Sequence, residues 1–152
     1  MIFVGFGFLM VFLKCHSWTS VGFNFLIAAW VIQICVLCTG FWYQVMSYHN
    51  YHDPNYDHFH YIDIDIIQLI MADFCAAAVL ITFGVVLGKI GFFQLWVLAT
   101  IEVIFYCLNE AILSQIFQIV DIGGSIIIHT FGAVFGIAAS FFFQPAEAIR
   151  NK

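Results

Sequence analysis

Charged residues are scarce in this sequence. Only 9% of its 152 residues are Asp, Glu, Lys or Arg, whereas a soluble domain usually carries about 25%. Hydrophobic residues make up 64% and aromatic residues 19%. A core of this size can bury only part of that apolar surface, and soluble proteins rarely expose the rest as continuous stretches. The composition therefore predicts a polytopic membrane protein.

Basic residues are the scarcest charged group, with four Lys and Arg against nine Asp and Glu and a formal net charge of -5. The sequence has no basic stripe that could neutralise phosphates, which excludes nucleic acid as a partner. It also lacks a nucleophile paired with a base, a nucleotide-binding loop and an N-x-Ser/Thr glycosylation acceptor. We therefore expect neither an enzyme nor a bound cofactor.

The five cysteines do not predict a disulfide framework. Four of them lie in apolar segments, where a cysteine behaves as a small hydrophobic residue. Cys35 and Cys38 form a CxxC motif, which alone is a weak signal for redox or metal chemistry. We predict that no metal is bound.

Apolar stretches predict five membrane crossings, the first of them incomplete. Met1 to Leu13 would extend only about 20 Å as a helix, short of the roughly 30 Å hydrocarbon core, and it lacks the features of a signal peptide. We expect a helix cut in half, with Met1 an internal methionine or a fragment boundary. Four longer spans follow: Ser20 to Met46, Ile66 to Leu87, Phe92 to Phe117 and Gly124 to Phe143.

The predicted fold class is all-α, a helix bundle in the plasma membrane. Residues 1–143 form the membrane domain, 47–65 an outer loop and 144–152 a tail. Each basic residue follows an odd-numbered span: Lys14, Lys89, Arg150 and Lys152. By the positive-inside rule their side is cytoplasmic, so the 47–65 loop and the junction at Asp121 are expected to face outward.

Ionisable side chains inside the spans would cost a few kcal/mol or more if they faced lipid, so we expect them to face protein or a water-filled path. They are Asp73, Glu102, Glu110 and His129, with Asp121 at the outer end of the fifth span. For Glu102 we predict only a buried partner. Glu110 and its neighbour Asn109 lie toward the outer end of the fourth span, where an acid would concentrate a small cation; interhelical hydrogen bonding is the alternative.

The fifth span, DIGGSIIIHTFGAVFG, holds the strongest candidates. Asp121 occupies an N-cap position and is expected to satisfy open backbone amides, with direct ion binding as the alternative. From Asp121 to His129 a helix would rise about 12 Å, which places the imidazole near the bilayer midplane. Gly132 and Gly136 form a small-xxx-small pattern that lets another helix pack closely.

A histidine at the midplane either is packed and hydrogen-bonded or serves a path for a small polar ligand. Haem ligation would need a second membrane histidine, and the other five histidines lie outside the predicted spans. The outer loop offers potential metal ligands, but their spacing matches no zinc pattern, and we interpret it as a solvated acidic loop. These residues are His49, His52, His58, His60, Asp53, Asp57, Asp63 and Asp65.

Five stretches lie between Ile2 and about Ala139: FVGFGFLMVFLK, SVGFNFLIAA, ADFCAAAVLITFGVVLGK, the QLWVLATIEV to LNEAIL run, and DIGGSIIIHTFGAVFG. In sequence and in order they resemble the Rhesus branch of the ammonium transporter family. The resemblance implies an inverted-repeat fold of which this chain is roughly the first half. It also implies assembly as a homotrimer, or as a hetero-oligomer, of complete protomers in the lipid bilayer.

The resemblance further implies residue roles. His129 is similar to the first of the family's paired pore histidines, and Phe74 to an aromatic gate over the outer vestibule. Glu110, beside Asn109, resembles the vestibule acid, and Asp121 the carboxylate at the outer end of the pore helix. The implied function is transport of ammonium or ammonia through a histidine-lined hydrophobic pore; conduction of carbon dioxide stays open. The alternative is a non-conducting subunit or truncated product that assembles with related chains, because the second histidine and second gate phenylalanine are missing.

Overall fold

The computed structural model describes residues 1–11, 17–50 and 61–143, and every regular element in those ranges is helical. Four helices are long and apolar enough to cross a membrane, and a shorter helix precedes them. The predicted all-α membrane bundle is therefore confirmed. The elements are α1 (Ile2–Met10), α2 (Ser17–Asn50), α3 (Ile66–Val86), α4 (Phe92–Ala111), the π-helical segments π1 (Ile112–Ile116) and π2 (Ser125–Thr130), and α5 (Phe131–Phe142).

The helix ends follow local capping chemistry. α3 begins at Ile66 because the Asp65 carboxylate accepts a hydrogen bond from the backbone amide of Gln68 at 2.8 Å, which satisfies one of the open amides of the first turn. α2 continues to Asn50, beyond the predicted end of its span. Residues 51–60 of the predicted outer loop and the tail from residue 144 lie outside the described residues.

α3 is the central helix of the bundle and packs against α2, α4 and α5. Its middle turns present small buried side chains from Cys75 to Ala78, which allow neighbouring helices to approach closely. Hydrogen bonds also connect other pairs of helices. Between α2 and α4, Trp30 Nε1 donates to Thr100 Oγ1 at 3.1 Å. Asn24 Nδ2 donates to the Phe3 carbonyl at 2.9 Å and fastens α1 to α2.

α5 lies at the edge of the bundle. It buries Gly132, Gly136 and Ala139, and both glycines face α3. The opposite side of the same helix carries exposed apolar residues such as Val134 and Ile137. One side of α5 is therefore covered by α3, and the other is uncovered by the described residues.

Candidate functional site

Asp121 caps the start of the fifth span. Its Oδ2 accepts hydrogen bonds from the backbone amides of Ile126 and Ile127, both at 2.8 Å. The chain reaches this geometry through Gly123 and Gly124, whose φ angles of 89° and 70° lie in the left-handed region that favours glycine. One carboxylate oxygen thus satisfies two of the amides that a helix start leaves open.

The cap predicts a stability difference between two substitutions at Asp121. Asp121→Ala removes both hydrogen bonds and is expected to lower the free energy of unfolding by about 1 kcal/mol. Asp121→Asn keeps an oxygen acceptor in the same position and is expected to remain close to wild type. Thermal unfolding of the purified protein in detergent measures both. Equal losses in the two variants would show that the negative charge, and not the acceptor, matters for stability.

His129 lies in π2, where the backbone hydrogen bonds skip one residue more than in an α-helix. The amide of His129 bonds to the carbonyl of Gly124 at 3.0 Å, and the hydroxyl of Thr130 donates to the carbonyl of Ser125 at 2.8 Å. π-helical turns occur frequently at functional sites. Ile128 turns into the core, whereas the imidazole of His129 is exposed and has no hydrogen-bond partner among the residues of the described ranges.

The uncovered side of the bundle carries an open apolar groove of about 440 Å³ between the C-terminal end of α4, π1, π2 and α5. Asn109 and Thr130 contribute polar groups to a lining that is otherwise apolar, with Leu113, Val134 and Phe135 among its residues. Asn109 was predicted to lie at an outer vestibule beside Glu110. The structure places it in this groove, on the same side of the molecule as Thr130, the neighbour of His129.

Glu110 and Phe74 are placed differently from each other. The side chain of Glu110 is only 3% exposed, and its Oε2 has no hydrogen-bond partner in the described part of the chain. Beside it, Tyr43 and Ser114 share a hydrogen bond of 3.0 Å between α2 and π1. Phe74 is 41% exposed on α3. Of the two proposed outer residues, the phenylalanine is thus accessible and the acid is enclosed.

A polar network around Glu102 joins three helices. The hydroxyl of Thr82 on α3 lies 2.5 Å from Oε1 of Glu102 on α4 and 3.0 Å from the carbonyl oxygen of Gly132 on α5. All three residues are buried. Sequence reasoning had predicted only an unnamed partner for Glu102. The signal that could have found it was the occurrence of a hydroxyl and an acid inside two neighbouring apolar spans.

The glycine pair of α5 makes a close contact with α3. A Cβ at Gly132 would lie 2.6 Å from the carbonyl oxygen of Ala78, and one at Gly136 would lie 3.0 Å from Cγ2 of Val85 and 3.2 Å from Cα of Thr82. Real Cβ atoms do not approach a backbone oxygen as closely as 2.6 Å. Only glycine at position 132 therefore fits this spacing of α3 and α5.

The chain matches known proteins over nearly its whole length. The model of the Ammonium Transporter Family matches residues 1–151. Over 140 residues the chain is 47% identical to the ammonium transporter Rh type B of Papio hamadryas and of Homo sapiens, and 48% identical to that of Bos taurus. Each alignment covers 92% of this chain and 28% of the relative.

The chain thus spans only 28% of the length of these curated relatives. Within that span, the order of apolar helices fits a multi-pass membrane protein. The Rhesus resemblance noted from the sequence motifs is confirmed. On the family match and the identity to the Rh type B relatives, the chain belongs to the ammonium transporter family.

Proposed function

We propose that this chain forms one wall of a pore through which ammonia crosses the plasma membrane. The observation that carries the proposal is the placement of His129. It is an exposed polar side chain within a helical span, Ser125–Phe142, that is long and apolar enough to cross a membrane, in a chain of the ammonium transporter family. The relatives are longer than this chain. The opposite wall would therefore come from a further part of such a protein or from a second subunit.

The proposed path begins at the outer side. Ammonium is concentrated there at the end of α4, where Asn109 lines the open groove and the enclosed carboxylate of Glu110 lies next to it in the chain. It loses its proton near Phe74 and Asp121 and continues as neutral ammonia. The physical reason is that a bare charge at the membrane midplane costs several kcal/mol or more, which deprotonation avoids.

His129 serves the neutral molecule in this scheme. An uncharged imidazole has one donor and one acceptor nitrogen. It can therefore donate a hydrogen bond to the lone pair of ammonia or accept one from an N–H of ammonia. Around it, Ile126, Val134 and Ile137 are exposed on the same segment of chain and would form an apolar wall. A small neutral molecule that forms one good hydrogen bond passes such a wall more easily than a hydrated ion.

The proposed topology places the α3–α4 turn in the cytoplasm. Lys89 in that turn donates a hydrogen bond of 2.5 Å to Ser140 near the end of α5, so these two ends of the bundle share one side. Lys14, Arg150 and Lys152 were predicted to lie on the same side, and they fall outside the described residues. The proposed assembly is a trimer or hetero-oligomer, and carbon dioxide is a second gas that an apolar path of this kind would admit.

Growth of yeast cells that lack their own ammonium transporters tests the proposed substrate. The native gene product is expected to restore growth when a low concentration of ammonium is the only nitrogen source. The control is growth on arginine, which should not depend on the expressed protein. Absence of rescue by protein that is present at the cell surface would overturn the transport proposal. It would instead support the alternative, a non-conducting subunit that assembles with related chains.

A further inference from the structure

Three cysteines from three helices meet in the interior of the bundle. Cys35 on α2, Cys75 on α3 and Cys107 on α4 each have an exposed fraction of 0%. The sulfur atoms of Cys35 and Cys107 are 3.6 Å apart, and all three sulfur atoms lie within 4.8 Å of one another. Cys38, the partner of Cys35 in the CxxC motif, is not a member of this cluster.

The spacing of the three sulfur atoms matches that of ligands around one metal ion. Thiolate sulfur binds a metal such as zinc at about 2.3 Å, and three sulfur atoms in a triangle around such an ion would be about 4 Å apart. The separation of Cys35 and Cys107 is 3.6 Å, and no separation in the cluster exceeds 4.8 Å. Small movements of buried side chains would therefore be enough to bring all three sulfur atoms into contact with a common ion.

Thr39 completes one side of the cluster. Its hydroxyl lies 3.4 Å from the sulfur of Cys35 and 3.4 Å from that of Cys107, and it donates to the latter. A hydroxyl in this position can give a hydrogen bond to a thiolate, which helps to hold a deprotonated sulfur in an apolar interior. Side-chain packing alone would not require a donor to face two sulfur atoms.

The surroundings select the charge of the ion. Thiolates bind soft ions such as copper(I), and creating a net charge in the interior of a membrane protein is costly. A monovalent ion M⁺ that replaces one thiol proton, RSH + M⁺ → RS–M + H⁺, leaves the charge of the site unchanged, and the proton goes to water. The other two cysteines then contribute as neutral sulfur donors. A divalent ion would have to displace two protons for the same balance.

We propose that Cys35, Cys75 and Cys107 form a binding site for a soft monovalent cation of the copper(I) class. The ion would link α2, α3 and α4, and binding to the folded state alone would stabilise the bundle. The sequence prediction of no metal treated the cysteines of the apolar segments as small hydrophobic residues and the CxxC motif as a weak signal, whereas the site uses one cysteine of that motif and two distant ones. The proposal is independent of ammonia transport.

The probe is silver(I), a soft monovalent ion that is used here in place of copper(I). The native gene product is purified in detergent, with Cys15→Ala in every sample because this cysteine lies outside the described residues. Wild type is expected to bind one more tightly held silver ion than the triple variant C35S/C75S/C107S. Binding should release about one proton per ion and raise the thermal unfolding midpoint.

Two single variants on the same helix provide the matched comparison. Cys35→Ser should weaken silver binding by about tenfold or more, since it removes a ligand. Cys38→Ser, three positions away and outside the cluster, should leave it unchanged. Cys107→Ser gives the second test if Cys35→Ser does not fold, as judged by size-exclusion chromatography. Equal binding by the cluster variants and by Cys38→Ser, or full binding by the triple variant, would overturn the proposal.

Discussion

Replacing Gly132 with leucine is expected to prevent the assembly of α5 on α3. Even the first atom of the new side chain would lie 2.6 Å from the carbonyl oxygen of Ala78 and 3.1 Å from Cβ of Ile81. The backbone oxygen cannot move aside as a flexible side chain can. The same displacement would break the hydrogen bond between Thr82 and the Gly132 carbonyl. Size-exclusion chromatography of the expressed protein should show aggregated material in place of a symmetric peak.

Alanine at the same position gives a graded version of this experiment. Gly132→Ala should lower the free energy of unfolding by about 2 kcal/mol, the usual cost of overpacking a close contact. Gly84→Ala on α3 is the matched control because a Cβ there would meet no atom within 4 Å. That variant should be neutral or more stable by up to about 1 kcal/mol, since alanine is the better helix former. If both alanine variants have equal stability, the close contact between α3 and α5 is wrong.

The helix bundle could be predicted because it depends on local composition. Apolar runs of sufficient length and polar junctions gave a third span of Ile66 to Leu87, and the helix found there is Ile66–Val86. The sequence also predicted that Asp121 satisfies open backbone amides, and its carboxylate accepts from two of them, but the N-cap residue of π2 is Gly124, three positions further on. Such features need only neighbouring residues, so one sequence contains enough information to predict them.

The π-helical segments could not be predicted in this way. The fourth span was expected from Phe92 to Phe117, and the helical span found is Phe92–Ile116, but its regular α-helix ends at Ala111 and π1 follows. Both π1 and the SIIIHT stretch of π2 are short and mostly apolar, and the apolar pattern of five or six residues does not distinguish bonding to the fourth residue from bonding to the fifth. The choice between α-helical and π-helical hydrogen bonds depends on how the turn packs against neighbouring helices, which the local sequence does not specify.

Contacts between residues that are distant in the sequence could not be predicted either. Thr82 and Glu102 are 20 positions apart, and Cys35 and Cys107 are 72 apart. Whether such residues meet depends on the rotation of each helix about its axis, which a uniformly apolar helix leaves undetermined. The enclosed position of Glu110 has the same origin, because the sequence sets its depth in α4 and not the direction of its side chain.

Replacing His129 with phenylalanine is expected to slow ammonia flux about tenfold or more without preventing folding. The imidazole is exposed and makes no hydrogen bond to the described residues, so the bundle loses no side-chain contact there. A molecule of ammonia in an apolar path would lose one hydrogen-bond partner, which costs about 1–3 kcal/mol. His129→Asn keeps a donor and an acceptor and should retain part of the flux.

The central claim is that ammonia passes His129, and stopped-flow flux in proteoliposomes tests it most directly. The native gene product is reconstituted with a trapped pH-sensitive dye and mixed with an ammonium gradient. We expect fast equilibration with wild type and a rate close to that of empty liposomes with His129→Phe. The control is His60→Phe, the same substitution outside the predicted spans, which should leave the rate unchanged. If His129→Phe transports ammonia at the wild-type rate and with the wild-type pH dependence, the account is contradicted.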